Sequence, residues 1–594
     1  MPGSNYKLST INVQSAIPKN RQDLLKWNGW GYNDSKFVYR NGEVYFTGKR
    51  YAIGERRLPH LIGWVTKELG VELEKPNPAQ ELPTEDKFPT PKISDENLDD
   101  LKKLNVSYSL KGIDRLVRAH GHTLNDIYLL RNGTFERIPD VVVWPTCHDD
   151  VVRIVTFAAD RNIAVIPFGG GTAVSGAVEC PARETRTIIS LDTSQMNKIL
   201  WLDKENLVAC CESGIIGQDL ERELGKLGYT TGHEPDSYEF SSLGGWVATR
   251  ASGMKKNTYG NIEDLLVHVR MVTPKGVLEK NCQVPRLSCG PDFNHVVMGS
   301  EGSLGVITEV IIKVRPLPKC KRYGSIVFPD FESGVKCMRE VAKQRCQPAS
   351  IRLMDNDQFK FGMILKPEES KLSQIVDGLK KFYVTKIKGF DLDKMCVMTL
   401  LFEGDEQDVK NHEKKVNSIG MLFGGMPAGQ SNGERGYMLT FVIAYIRDLA
   451  LLYNVVAESF ETSVPWDRAL ALVKNVKRTV AEECRKRSIT HFVINSRVTQ
   501  TYDAGCVIYF YLGFNYSNIS DPVQVHHDIE TSARDEIIAC GGSISHHHGV
   551  GKLRKKWYPS TVSDVGVKLF LATKKELDPK NIFATNNLVQ QSKL

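Results

Sequence analysis

At 594 residues the chain is several times the length of an average domain, about 150 residues, so more than one domain is expected. A hydrophobic share of 41% and a charged share of 25% belong to an ordinary globular protein and exclude collagen-like and disordered classes. Seventy-seven Lys and Arg against 70 Asp and Glu leave a net charge of only +7, too mild and too spread out for a dedicated nucleic-acid binder.

Thirteen Cys, scattered without CxxC spacing, point to a reducing compartment rather than a disulfide scaffold or zinc ribbon. Residues 1–17 lack the apolar core of a signal peptide. The longest nearly apolar stretch, 438–446, stops at Arg447 and Asp448. It falls short of the roughly 18 apolar residues of a membrane span, so an integral membrane protein is not expected. The chain closes on Ser592-Lys593-Leu594, which at a free C-terminus is a peroxisomal address read by an import receptor.

In chain order, residues 1–135 form a first segment without repeats, carrying a linker-like run at Pro76, Pro78, Pro83, Pro89 and Pro91. Within it Leu58, Leu61, Trp64, Val65 and Leu69 fall near one helical face, which either packs on the core or lies at a lipid surface. The next domain, 136–318, opens with a buried strand at 141–144. A helix over 149–160 follows, with Val151, Val152, Val155, Ala158 and Ala159 at helical spacing, and then a strand at 163–167. Strands at 187–191 and 207–211, a helix with Leu220, Leu224 and Leu227 on one face, and an alternating strand at 304–314 complete it before Pro316 and Pro318. Residues 319–590 interleave strands at 396–402, 438–445 and 506–514 with a helix over 466–487, a second, mixed α/β domain. Its stretch 404–436, rich in Gly, Asn and Glu, is expected to contain a mobile loop.

The strand at 163–167 runs into Pro167-Phe168-Gly169-Gly170-Gly171-Thr172-Ala173. Three successive glycines remove the Cβ atoms that block close approach and leave backbone N–H groups free to ring a pyrophosphate. The run has neither the GK[ST] of a Walker loop nor GxGxxG spacing, and alone it equally suits a tight turn. Three more small-residue loops follow. They are Asp236-Ser237-Tyr238-Glu239-Phe240-Ser241-Ser242, Thr249-Arg250-Ala251-Ser252, and Glu301-Gly302-Ser303-Leu304-Gly305-Val306-Ile307. Four such loops suit a long ligand with a diphosphate in its middle.

In the second domain His546, His547 and His548 stand side by side, with imidazoles that titrate near neutrality and can act as general acid or base. A metal-binding tract and a surface run are the alternatives, and zinc is disfavoured because no HxxxH or Cys companions stand at ligand spacing. Tyr509 and Tyr511 share one face of a strand, with buried core tyrosines as the alternative, preferred for Tyr511. Arg447 interrupts an apolar stretch and needs an anion, either Asp448, another carboxylate or a substrate phosphate. Arg352 presents the same choice.

The order of the four loops resembles the flavoproteins of the vanillyl-alcohol oxidase type over about 139–318. The fold this implies is α+β, a two-subdomain FAD-binding domain with a mixed α/β substrate, or cap, domain. Relatives that tether FAD through the first loop carry a His near Gly171 or Thr172; its absence implies non-covalent FAD. Longer runs resemble a narrower family, the alkyldihydroxyacetonephosphate synthases of peroxisomal ether-lipid synthesis. They are Lys26-Trp27-Asn28-Gly29-Trp30-Gly31-Tyr32, Gly253-Met254-Lys255-Lys256-Asn257, and His546 through Gly549-Val550-Gly551-Lys552-Leu553-Arg554-Lys555.

That resemblance implies exchange of the acyl group of acyl-dihydroxyacetone phosphate for a fatty alcohol, forming the ether bond of plasmalogen precursors through a covalent FAD N5 adduct without net redox. Tyr509 matches the family's acid/base tyrosine, the three His its essential run, Arg447 its substrate-binding arginine and Arg352 an arginine important for activity. The four loops match its FAD shell. Ala173, Ala584 and Asn586 depart from the expected Ser, Gly and Arg. The reading implies residence in the peroxisomal matrix with peripheral contact at the inner face of its membrane, allows a homodimer and includes no nucleic acid. The rival enzyme reading is an FAD-dependent D-2-hydroxy-acid dehydrogenase. Such enzymes carry a Glu before the conserved His, where His547 stands, and a metal-binding HxGDGNxH pattern, where this chain reads Tyr509-Phe510-Tyr511-Leu512-Gly513-Phe514-Asn515. A catalytically silent FAD-binding scaffold is the non-enzyme rival.

Overall fold

The computed structural model describes residues 7–368 and 386–589; Ser592-Lys593-Leu594 lies outside them. The chain divides into two compact units, one from the described parts of 1–28, 80–317 and 547–594, the other from those of 29–79 and 318–546.

In the first unit short apolar runs become strands covered on both faces. Val141–Trp144, Ile188–Asp192 and Ala164–Phe168 lie side by side in that order and run parallel, with Ser107–Ser109 antiparallel at the edge. The helix His148–Asp160 crosses between the first and last of the parallel three and buries Val151, Ile154, Val155 and Ala158. A second, antiparallel sheet is ordered Lys7–Leu8, Ile199–Asp203, Val208–Glu212, Val306–Lys313, Leu266–Thr273, Gly276–Leu278. Leu220 and Leu224 of the helix Gly217–Lys226 join its core with Trp246, Ile262, Val310 and Ile312. Ile582 and Phe583 are buried in the core of the parallel sheet, and Val165 N–H donates to Ile582 O at 2.7 Å. The 581–587 segment is therefore a structural tie within this unit.

The second unit is built on one antiparallel sheet, ordered Met426–Pro427, Cys320–Phe328, Cys396–Gly404, Ser350–Met354, Phe492–Thr501, Gly505–Asn515, Val455–Pro465. Strand alternation divides its residues between two faces. Phe510 and Phe514 face the helices, Phe510 stacking on Phe460 at 5.3 Å and Phe514 on His526 of the helix Pro522–Ala539 at 6.5 Å. Tyr509 and Tyr511 point the other way.

Three expectations meet different outcomes: one strand is overturned, one stretch holds a helix besides its loop, and one open choice is resolved. Residues 438–445 are helical, in Gln430–Val442 and the short turn Ile443–Tyr445, and form no strand. A short apolar run fits either period, and tertiary packing decided it. Gly433 and Gly436 let that helix lie directly on the sheet: a Cβ on Gly433 would fall 2.2 Å from Gly324 O, and one on Gly436 3.0 Å from Thr399 Cγ2. The stretch 404–436, expected to contain a loop, also holds the helix Glu406–Leu422, with Val409, Val416 and Ile419 buried at helical spacing beneath a charged outer face. The apolar face Leu58 to Leu69 packs inward. Leu58, Leu61 and Leu69 are buried, Trp64 lies 4.9 Å from Phe361, and Val65 packs with Leu69, Val71 and Val455. No helix among the described residues is long and apolar enough to cross a membrane.

The two helical glycines of opposite surroundings give a paired prediction. Gly433→Ala, pressed against backbone, should destabilise the protein by roughly 1–3 kcal/mol. Gly362→Ala, in the helix Asn356–Ile364 with nothing within 4 Å of its Cβ position, should stabilise by roughly 0.5–1 kcal/mol. Denaturant unfolding of the two variants checks the signs.

Candidate active site

In the first unit the parallel strand ends at Phe168, and Gly171 adopts φ 72°. A Cβ on Gly169 would sit 2.3 Å from Ser242 Oγ and one on Gly170 2.2 Å from Phe240 O. Glycine is thus required by the close approach of the 236–242 loop. The fourth loop packs on the first through Gly302, whose Cβ position is 3.3 Å from the Pro167 ring. It meets the third through Glu301 N–H, which donates to Ala248 O at 2.9 Å, and through Gly299, whose Cβ position is 3.3 Å from Arg250 Cδ. All four sequence-predicted loops are therefore neighbours.

Arg21, absent from the sequence-derived set, aims the first loop. Its Nη1 donates to Gly170 O at 2.8 Å and its Nη2 to Gly169 O at 3.2 Å. The guanidinium lies 5.1 Å from the Phe168 ring centre and is buried, which pulls its pKa from 12.5 to about 10, with Asp192 opposing the fall. In a trans peptide C=O and the following N–H point in opposite directions. Holding those two carbonyls on one side therefore turns the N–H groups of Gly170 and Gly171 to the other, where no described acceptor takes them. Bare N–H groups beside small-residue loops fit the pyrophosphate of FAD.

Glu301, in the fourth loop, anchors irregular chain within the unit. Its Oε1 accepts Val550 N–H and its Oε2 accepts Gly551 N–H, both at 2.7 Å. Burial raises its pKa, and the two N–H groups pull it back. The segment after His548 is pinned further by Lys552, which donates to Gly176 O at 2.7 Å and to Asn587 Oδ1 at 3.2 Å, burial lowering its amine to about 8. Gly551 is obligatory, since its φ is 52° and a Cβ there would lie 2.1 Å from Ser175 O. The rings of His547 and His548 meet edge to face at 4.6 Å. His546 belongs to the second unit, so the run divides between the two.

In the second unit strand register gathers a polar sheet face. Glu461, Tyr509 and Arg497 stand opposite one another on three adjacent strands, and Arg497 pairs onward with Met354, two residues from Arg352. The Arg497 guanidinium lies 5.2 Å from the Tyr509 ring centre and 5.1 Å from that of Tyr511, with the two rings stacked at 5.9 Å. Arg497 was not singled out in the sequence. Arg352 donates to Thr440 Oγ1 at 2.5 Å and lies 5.9 Å from the Tyr437 ring centre, on the helix the sequence misread as a strand. The anion beside Arg447 is Glu458 at 3.1 Å, while Asp448 accepts from Trp30 N–H at 3.3 Å. Arg352, Arg447, Arg497, Tyr509 and Glu461 are all buried. Such a face offers fixed cations for an anionic substrate and a phenol for proton transfer.

The cofactor geometry sets a prediction. Denaturation in acid should release intact FAD, since no His stands at Gly171 or Thr172, and Arg21→Ala should weaken FAD binding roughly tenfold, about 1.4 kcal/mol, by freeing the Gly169 and Gly170 carbonyls to turn. Flavin-fluorescence titration of the apoprotein measures it; unchanged affinity would mean the glycine loop holds its orientation without the arginine.

Residues 139–280 match the family model described as FAD binding domain, and residues 317–588 match the one described as FAD linked oxidases, C-terminal domain. The alkyldihydroxyacetonephosphate synthase of Caenorhabditis elegans is 50% identical over 97% of each chain. That of Dictyostelium discoideum is 32% identical over 96% of this chain and 95% of its own. A solved structure of alkyldihydroxyacetonephosphate synthase superposes with a TM-score of 0.83 at 30% identity, covering 97% of this chain and 99% of that one. The chain belongs to the alkyldihydroxyacetonephosphate synthase family.

Proposed function

We propose that this chain replaces the acyl group of acyl-dihydroxyacetone phosphate by a fatty alcohol, releasing a fatty acid and forming an ether bond. Family membership supports this over a 2-hydroxy-acid dehydrogenase. The observation that carries the assignment of roles is the sheet face bearing Arg352, Arg497 and Tyr509 together. C1 of the substrate lies beside a ketone, so its proton is acidic enough for a side-chain base, and the anion left behind needs nearby positive charge. In this reading the Tyr509 oxygen takes the C1 proton and returns it. Arg497 and Arg352 stabilise the developing anion, and Arg447 binds the phosphate. The histidine run supplies or accepts the protons of the departing carboxylate and the entering alcohol. Bound FAD supplies an electron sink that is restored within each cycle. The C-terminal Ser592-Lys593-Leu594 supports a peroxisomal address. The two long-chain substrates support peripheral contact with the membrane from which they come.

Two outcomes follow from these roles. Ether formation should continue for many turnovers under argon without an electron acceptor, and Tyr509→Phe should lose both product formation and C1 proton exchange with FAD still bound. Acceptor-dependent oxidation of a 2-hydroxy acid, with no ether product, would overturn the assignment.

Arg447→Lys keeps charge but loses the planar fork that holds two oxygens at once, so KM for acyl-dihydroxyacetone phosphate should rise roughly tenfold, about 1.4 kcal/mol. Unchanged steady-state kinetics would mean Arg447 only balances Glu458.

A further inference from the structure

Within the second unit the ring of His546 has a partner that its sequence neighbourhood does not suggest. Tyr502 follows the strand Phe492–Thr501 in a tight hairpin. Its N–H donates to Gly505 O at 2.8 Å, and its carbonyl accepts from Trp466 Nε1 at 2.9 Å. Gly505 is pressed onto the neighbouring strand, a Cβ there falling 2.3 Å from Val464 O. With its backbone fixed in this way, Tyr502 places its hydroxyl 2.7 Å from His546 Nε2, and the two rings lie 5.6 Å apart. The same hydroxyl is 3.3 Å from Gln500 Oε1.

The backbone of His546 is held independently. Its N–H donates to Glu461 Oε2 at 2.7 Å, and Ser545 Oγ donates to Glu461 Oε1 at 2.6 Å. Glu461 is only 1% exposed and stands directly opposite Tyr509 on the adjacent strand. Arg534, fully buried, donates to Glu461 O at 2.6 Å and Ile544 O at 2.9 Å, tying the strand to the segment that leads into the histidines.

We propose that Tyr502 is a positioning residue that fixes the orientation of His546 and couples its tautomer to the hydroxyl's own hydrogen bond, and that His546 is thereby the histidine of the run set for proton transfer beside Tyr509. The inference rests on the reading of the run as acid and base. A phenol has one proton for two neighbours. When Tyr502 donates to Gln500, its oxygen accepts from a protonated Nε2; when it donates to Nε2, the imidazole proton sits on Nδ1. Either state leaves Nδ1 as the end of the ring that meets other groups. Passing from the first state to the second, the ring gains a proton at Nδ1 from the group it meets and gives up the one at Nε2, and the hydroxyl proton turns from Gln500 to the bared Nε2. Glu461 holds the main chain of His546 while this happens.

The test joins spectroscopy to kinetics on the FAD-loaded enzyme. Imidazole 15N shifts of His546, assigned by their loss in His546→Gln, should change tautomer population in Tyr502→Phe. In the same variant kcat should fall roughly 10- to 100-fold with KM and FAD content unchanged. Tyr502→Phe combined with His546→Gln should be no slower than His546→Gln alone, because the pair acts as a unit. An unchanged His546 tautomer in Tyr502→Phe overturns the proposal whatever the kinetics, and so does unchanged kcat in Tyr502→Phe when His546→Gln is inactive. A shifted tautomer with full activity in His546→Gln overturns instead the catalytic reading of this histidine.

Discussion

Close approach of backbone to backbone at the end of one parallel strand is the constraint on which the cofactor unit depends. Gly169 and Gly170 leave no room for a Cβ, because Ser242 Oγ and Phe240 O already occupy those positions. A strand end packed this tightly exposes peptide groups instead of side chains, and their usefulness depends on which way they point. Arg21 decides that by taking the carbonyls. Burying its charge is costly, as its lowered pKa records, and Asp192 offsets part of the cost. The result is a polarised loop, positive on the side where an anionic cofactor is expected.

Buried carboxylates solve a different problem, the anchoring of irregular chain. Glu461 holds Ser545 and His546 in the second unit, and Glu301 holds Val550 and Gly551 in the first. Each grips with both oxygens, so each holds two donors of the chain at once. The backbone at His546 and the backbone just after His548 are thus each restrained within the unit to which they belong. Imidazoles on restrained backbone lose less orientational freedom when they move a proton.

The substrate face draws on a third device, strand register. Residues far apart in the chain, Arg352, Glu461, Arg497 and Tyr509, share one face because the ladders pair them and because side chains alternate along a strand. A one-residue slip would exchange this polar face for the apolar one carrying Phe460 and Phe510, so burial of those phenylalanines protects the register of the polar residues.

Much was legible in the sequence by itself. The parallel strands at 141–144 and 163–167, the four Gly and Ser loops, the paired tyrosines and the histidine run stand in local patterns of period and composition. Local pattern failed at 438–445, where a short apolar run suits strand and helix alike, and at 404–436, where a charged outer face hid an amphipathic helix. It also passed over Arg21, Arg497, Tyr502 and Glu461, each a single polar residue in unremarkable surroundings whose meaning is the partner it meets 44 to 149 positions away or on an adjacent strand. The sequence alone determined which chemistry the chain carries, because glycine, histidine and tyrosine bring their properties wherever they stand. Only the tertiary structure decided how that chemistry is aimed, because orientation comes from hydrogen bonds and strand pairings between residues that no local pattern connects.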